Sequence, residues 1–113
     1  MTRTVFTRAA ISSIDTQEFY LADKVGTQAA SKHFGELEDK IEHRLSDQPE
    51  SGQLCLQAAE LGITQYRELN YNPYRVIYSY DTVHDTAVVH LVLNQAQNVR
   101  DWLVHYCLVK DLD

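Results

Sequence analysis

Three strand-like runs in the second half of this chain stand so close together that they can pair only as an antiparallel sheet. Thr64 to Asn70 (TQYRELN), Tyr74 to Asp81 (YRVIYSYD) and Ala87 to Leu93 (AVVHLVL) are rich in β-branched and aromatic residues. The breaks between them, Tyr71-Asn72-Pro73 and Asp81 to Thr86, are too short for the crossover of a dozen or more residues that parallel neighbours need. A meander follows, and its apolar face requires a second layer to cover it.

The first half supplies that layer. Ala30, Phe34, Leu37, Ile41 and Leu45 recur at helical spacing, while Lys32, Glu36, Asp39, Lys40 and Glu42 occupy the other faces. A less regular amphipathic pattern runs from Arg8 to Lys24 through Ala10, Ile14, Phe19 or Tyr20, and Leu21, ending near Gly26. The connection around Val25-Gly26-Thr27 is short, so the two segments form a helical hairpin. Arg3 to Thr7 (RTVFT) reads as a short edge or pairing strand. Gln48 to Gly52 closes the second helix, and Gln53 to Gly62 is a linker with room for a helical turn. Asn98 and Asp101 look like the start of a short terminal helix continued by Val99, Trp102, Leu103 and Tyr106. At 113 residues a boundary would leave two halves too small to stabilise themselves. The expectation is one α+β domain over 1–113, an N-terminal strand and helical hairpin packed on an antiparallel sheet meander, with a short C-terminal helix.

Several function classes lack their residues. No apolar run approaches the roughly 20 residues of a membrane span, and MTRTVFTRAA lacks a signal-peptide core, so the expectation is a cytoplasmic protein with no membrane partner. A net charge of −6 opposes general attraction to a phosphate backbone. Cys55 and Cys107 form no C-x-x-C and read as reduced, partly buried thiols. His33, His43, His84, His90 and His105 show no H-E-x-x-H or comparable spacing, so neither a metal nor another cofactor is expected. The four glycines make no phosphate loop. Ser12 and Ser13 sit in a helical pattern without a nucleophile elbow and read as helix-surface residues.

Two features of the strands point toward recognition. Tyr66, Tyr71, Tyr74, Tyr78 and Tyr80 crowd two strands and their turn. Aromatics of this density stack on bases or anchor protein interfaces, but the alternation of Tyr74, Val76, Tyr78 and Tyr80 favours packing against the helices. Alternation then sends Arg75, Ile77 and Ser79 to the opposite face, where an open sheet surface could gather Arg67, Arg75 and Arg100. Such a patch would bind an anion or a partner; the alternative is separate arginines paired with Glu68, Asp81 or Asp101.

The order strand, helical hairpin, meander and terminal helix, with R-E-L at Arg67 to Leu69, Y-R-V-I-Y at Tyr74 to Tyr78 and the apolar AVVHLVLNQ, resembles the ParE/RelE family of bacterial type II toxins across nearly the whole chain. The resemblance implies a toxin neutralised by a cognate antitoxin, often of ribbon-helix-helix type, which carries the contacts to operator DNA and can build a higher-order complex. It offers two actions: inhibition of DNA gyrase, as in the ParE-like branch, or ribosome-dependent cleavage of messenger RNA, as in the RelE-like branch. A nontoxic interaction domain on the same fold is a third reading. Arg75 matches the arginine of the nuclease branch's Y-R-hydrophobic strand. The basic segment that follows the last strand in that branch is here Asn94-Gln95-Ala96-Gln97, whose amides carry no charge. This departure favours a non-enzymatic gyrase inhibitor, with Arg67, Arg75 and Arg100 as charged target contacts and Trp102 as an anchor, unless Trp102 packs the last helix onto the body.

Overall fold

The computed structural model describes residues 2–95 and residue 101. The expected terminal helix, with Arg100, Trp102, His105, Tyr106 and Cys107, lies outside the described residues.

Strand β1 (Arg3–Phe6) leads into the helical hairpin, α1 (Arg8–Val25) and α2 (Thr27–Asp47). There follow β2 (Gln53–Leu54), α3 (Leu56–Glu60), β3 (Tyr66–Tyr71), β4 (Tyr74–Asp81) and β5 (Thr86–Asn94). The linker thus holds a two-residue strand and a short helix. The five-stranded sheet has the order β1-β5-β4-β3-β2. β2 to β5 pair antiparallel as the short breaks require, whereas β1 pairs parallel with β5, Arg3 opposite Thr86 and Phe6 opposite Val89. The connection from β1 to β5, which runs through the helical hairpin and the other three strands, far exceeds the crossover length that parallel pairing needs.

Local chemistry sets the hairpin's corners. Thr7 caps α1, its Oγ1 accepting from the Ala10 N–H at 3.1 Å. Gly26 sits at φ 94° and ψ 159°, a region essentially restricted to glycine, and both ends α1 and begins α2. The two apolar stripes then meet the sheet. Ala10 and Ile14 of α1, with Phe34, Leu37, Ile41 and Leu45 of α2, pack on Leu69, Tyr74, Val76, Tyr78, Ala87, Val89 and Val92. The alternation of β4 is borne out for Tyr74, Val76 and Tyr78, which pack against the helices, whereas Tyr80 lies outside this core with its hydroxyl on Asp85.

The other sheet face is not open. Ile77, Leu91 and Leu93 are fully buried beneath Cys55, Ala58 and Ile63, from α3 and the residues beside it, with Tyr66. The physical reason is in β5 itself: Val88-Val89-His90-Leu91-Val92-Leu93 is an almost continuous apolar run, and such a strand needs cover on both sides. A β-bulge at His90, between the pairs Ile77–Leu91 and Tyr78–Val89, adjusts the faces of β5.

Where β1 stops, side chains of α1 continue its work. The Thr7 N–H donates to the Val89 carbonyl at 3.0 Å and Thr7 Oγ1 to the His90 carbonyl at 3.3 Å. The Val92 N–H then donates to Ser13 Oγ at 3.1 Å, and Gln17 Nε2 donates to the Val92 carbonyl at 2.7 Å. These bonds satisfy backbone groups that a longer β1 would have paired. Ser13 is therefore buried and structural, correcting its reading as a helix-surface residue; Ser12 is exposed.

The turn from β4 to β5 is organised by acids. Asp81 accepts from the Val83 and His84 N–H groups and from His84 Nδ1, the His84 side-chain bond being the main cause holding its carboxyl below the usual value. Asp85, in the left-handed region at φ 46°, accepts from Tyr80 Oη and Thr2 Oγ1, each at 2.7 Å. The Tyr80 bond first, and then the Thr2 bond, hold its carboxyl low. A folded-state value below the unfolded one contributes stability above about pH 4 that disappears as pH falls through the folded value. Asp85→Asn keeps a residue that tolerates this backbone. Its urea midpoint should therefore change less than that of the wild type between pH 5 and pH 3, and equal slopes would remove Asp85 from the acid response.

Candidate functional site

Arg75 leaves β4 on the face covered by α3. Its Nε and Nη2 donate to the two carboxylate oxygens of Glu68 at 3.2 and 2.6 Å, and Nη2 also donates to Gln57 Oε1 of α3 at 3.0 Å. The pairing of β3 and β4 explains the contact: Arg75 lies opposite Asn70, which makes Glu68 its diagonal neighbour on the same face. With side chains only 18% and 13% exposed, the pair has left most of its water behind and is bidentate. Of the alternatives open from sequence, Arg75 takes the pairing with Glu68.

Cys55 lies beside this pair, its thiol 3.9 Å from Glu68 Oε1. Burial, reinforced by the Glu68 charge, pushes the thiol up from its ordinary value, so the protonated form dominates at neutral pH and a nucleophilic role has no support. Further along the same face, His90 Nε2 and Ser79 Oγ are 2.8 Å apart, and the imidazole stacks on Tyr66 at 4.5 Å between centroids. Among the described residues, no three histidine, cysteine or acidic side chains converge as a metal site.

Arg67 is elsewhere, so of the two readings open from sequence the shared cationic patch does not hold for Arg67 and Arg75. Tyr71 pairs with Tyr74, so the register places Arg67 opposite Tyr78, on the helix side of the sheet. Its Nη1 donates to the carbonyls of Glu50 at 3.2 Å and Gly52 at 3.0 Å, holding down the turn after α2. Arg67 and Arg75 therefore do not converge, and each is engaged inside the fold.

Arg67 helps to fix a tight corner. The Gly52 N–H donates to Tyr78 Oη at 2.9 Å, and a Cβ on Gly52 would stand 2.6 Å from that oxygen and 2.7 Å from Cε1 of the same ring. Tyr78 is fully buried and cannot swing away. Gly52→Ala should cost about 2 kcal/mol, within the range for overpacking a filled interior. Urea denaturation would show it, and an unchanged midpoint would mean that the corner relaxes freely. Sequence reasoning missed Gly52; its signal was a glycine directly after the helix-closing Pro49-Glu50-Ser51, but the tyrosine it meets is distant in sequence.

No described helix is long and apolar enough to cross a membrane. The structure sets a neutralised arginine on one sheet face and the helical hairpin on the other.

Comparison with known proteins places this architecture. The sequence pattern of the ParE toxin of type II toxin-antitoxin systems, parDE, matches residues 4–99. Among solved structures, the chain is similar to one of the chromosomal ParDE system of P. aeruginosa, with a TM-score of 0.66 at 14% identity over 83% of this chain and 96% of that one. It is similar to one in the toxin-antitoxin complex RelBE2 of Mycobacterium tuberculosis, with a TM-score of 0.58 at 18% identity over 85% and 93% of the two chains. The isolated E. coli RelE toxin gives a TM-score of 0.53 at 16% identity, each chain being covered in full. Comparison with curated protein sequences gives no match. The structural likenesses are likenesses of fold, while the sequence match spans most of the chain: this protein belongs to the ParE toxin family of type II toxin-antitoxin systems.

Proposed function

We propose that this chain is a toxin held inactive by direct binding of a cognate antitoxin, and that when free it inhibits DNA gyrase. The observation that carries the choice of target is the state of Arg75. A ribonuclease of this fold would need cations free to bind phosphate and to balance transition-state charge. Here the guanidinium is bound to Glu68 and Gln57, and Arg67 lies on the other face. The uncharged Asn94-Gln95-Ala96-Gln97 supports the same reading. An inhibitor that works by occupying a protein surface needs no cation held free for chemistry.

Target contact is assigned to Arg67, Arg75, Arg100 and Trp102. Because Arg67 and Arg75 also make internal bonds, substitution there disturbs the fold as well. The antitoxin, of ribbon-helix-helix type in this reading, carries the operator contacts.

The test compares two reactions using purified chain freed of antitoxin. Loss of gyrase supercoiling with messenger RNA left intact in a translating ribosome assay is the expected result. Ribosome-dependent cleavage with normal supercoiling would overturn the gyrase assignment, and unimpeded growth on induction at verified soluble expression would overturn the toxin reading in that host.

A further inference from the structure

An arginine fork receives a carboxylate and a phosphate in the same way, two oxygens on two parallel N–H groups. Glu68 fills the fork of Arg75 in this manner, Oε2 on Nε at 3.2 Å and Oε1 on Nη2 at 2.6 Å. The occupant comes from the neighbouring strand, one diagonal step away in the register of β3 with β4, so no loop has to move to bring it there. Among the described residues Glu68 is the one carboxylate paired with Arg75. Gln57 Oε1, which accepts from Nη2 at 3.0 Å, supports the guanidinium without cancelling its charge.

The ground around the pair makes this occupancy exclusive. Glu68 lies directly opposite Ile77 and Arg75 directly opposite Leu93, and both apolar side chains are fully buried. A carboxylate pushed off the fork toward them would lose its counter-charge in a place that water hardly reaches. An incoming anion that left Glu68 where it is would stand beside a like charge, which costs several kcal/mol at close quarters. Either way the second anion is refused.

We propose that Glu68 is a specificity-determining residue: its carboxylate is the built-in occupant of an oxyanion seat on Arg75 and closes this face of the sheet to phosphate groups, free or carried on a nucleic acid. The seat is complete in everything except vacancy. Removing the occupant, with no cation added, therefore opens it. The inference deepens the reading of this toxin as a gyrase inhibitor that is not a ribonuclease, and rests on it.

The test vacates the seat and offers inorganic phosphate, with chloride at matched ionic strength as the reference. In phosphate the urea midpoint of Glu68→Ala should rise by about 0.5 M more than that of the wild type, whose own rise measures the general stabilisation that phosphate gives a folded chain. Glu60→Ala, which removes an exposed acid from α3, should follow the wild type. Glu68→Ala combined with Arg75→Met should lose the extra rise, because the fork has gone. Glu68→Ser is the second variant, and circular dichroism follows both, so that a variant unfolded in chloride can be seen to fold in phosphate. No extra rise in either variant, both remaining unfolded in phosphate, the same extra rise in Glu60→Ala, or its survival without Arg75 would overturn the proposal. A single-stranded oligoribonucleotide at the same phosphate concentration separates the sources. An extra rise with it as well admits a chain, and a rise with inorganic phosphate alone limits the seat to a free or terminal group; either bears out the closure. Ribosome-dependent cleavage by the wild-type chain would remove the gyrase reading whatever phosphate does to Glu68→Ala, whereas a missing phosphate effect would remove the closure and leave gyrase inhibition standing.

Discussion

Phe34→Ala should lower the stability of this domain by about 4 kcal/mol, the range found when a buried phenylalanine ring is deleted. The ring is 1% exposed at the centre of α2's apolar stripe, edge-on to His33 at 5.0 Å and to Tyr74 at 5.4 Å between centroids. Its neighbours are poorly placed to fill the space. Tyr74 is tied through its hydroxyl to His33 Nε2 at 2.8 Å, and Val76 and Tyr78 are fixed in the centre of the sheet. Domains of this size have about 5–15 kcal/mol in total, so the loss is a large share. Urea denaturation at neutral pH would measure it. Phe34→Leu should recover more than half, because it restores most of the volume; equal losses in the two variants would place the effect in ring geometry instead of in the cavity.

The second large effect is expected at Arg75. Arg75→Ala should cost about 3 kcal/mol, since Glu68 is left largely buried without its counter-charge. Gln57 also loses its donor, which loosens α3 from the sheet. Arg75→Met leaves Glu68 equally unpaired and should cost less than Arg75→Ala only because it keeps the packing of the aliphatic stem; removing Glu68 as well should restore part of the loss, because no uncompensated charge then stays buried. Additive losses across this double-mutant cycle would mean that the two side chains do not interact. The methionine variant also separates two roles. Folded and still toxic, it would make Arg75 a residue that positions α3; folded and harmless, it would make Arg75 a target contact.

The parts of this fold legible in the sequence were those with an unbroken period. The α2 stripe of Ala30, Phe34, Leu37, Ile41 and Leu45 is buried residue for residue, and β4 and β5 fall within a residue or two of their expected limits. Arg67 was misplaced through register. Counting Tyr71 as part of the turn leaves the pairing open, whereas the observed turn is Asn72-Pro73 alone, with Tyr71 opposite Tyr74. A shift of one residue in a strand moves every side chain to the other face, and Arg67 moved with it. The cover on the second face was hard to see for a different reason. Helix α3 is five residues long, too short to show a helical period, and the cover is made by its Ala58 together with Cys55 and Ile63 on either side of it, in contact with strands far along the chain. Ser13 escaped because nothing local distinguishes a serine that binds water from one that meets the Val92 N–H across the fold.

The parallel pairing of β1 with β5 fixes an order of events during synthesis. Strand β1 needs β5 as its neighbour, so Arg3 to Phe6 cannot enter the sheet until Thr86 to Val89 has been made. The helical hairpin can form earlier from local contacts, but Ala10, Ile14 and Phe34 have no sheet to lie on until β3, β4 and β5 exist. Until β5 has been made, the apolar stripes of the nascent helical hairpin are accessible to other chains.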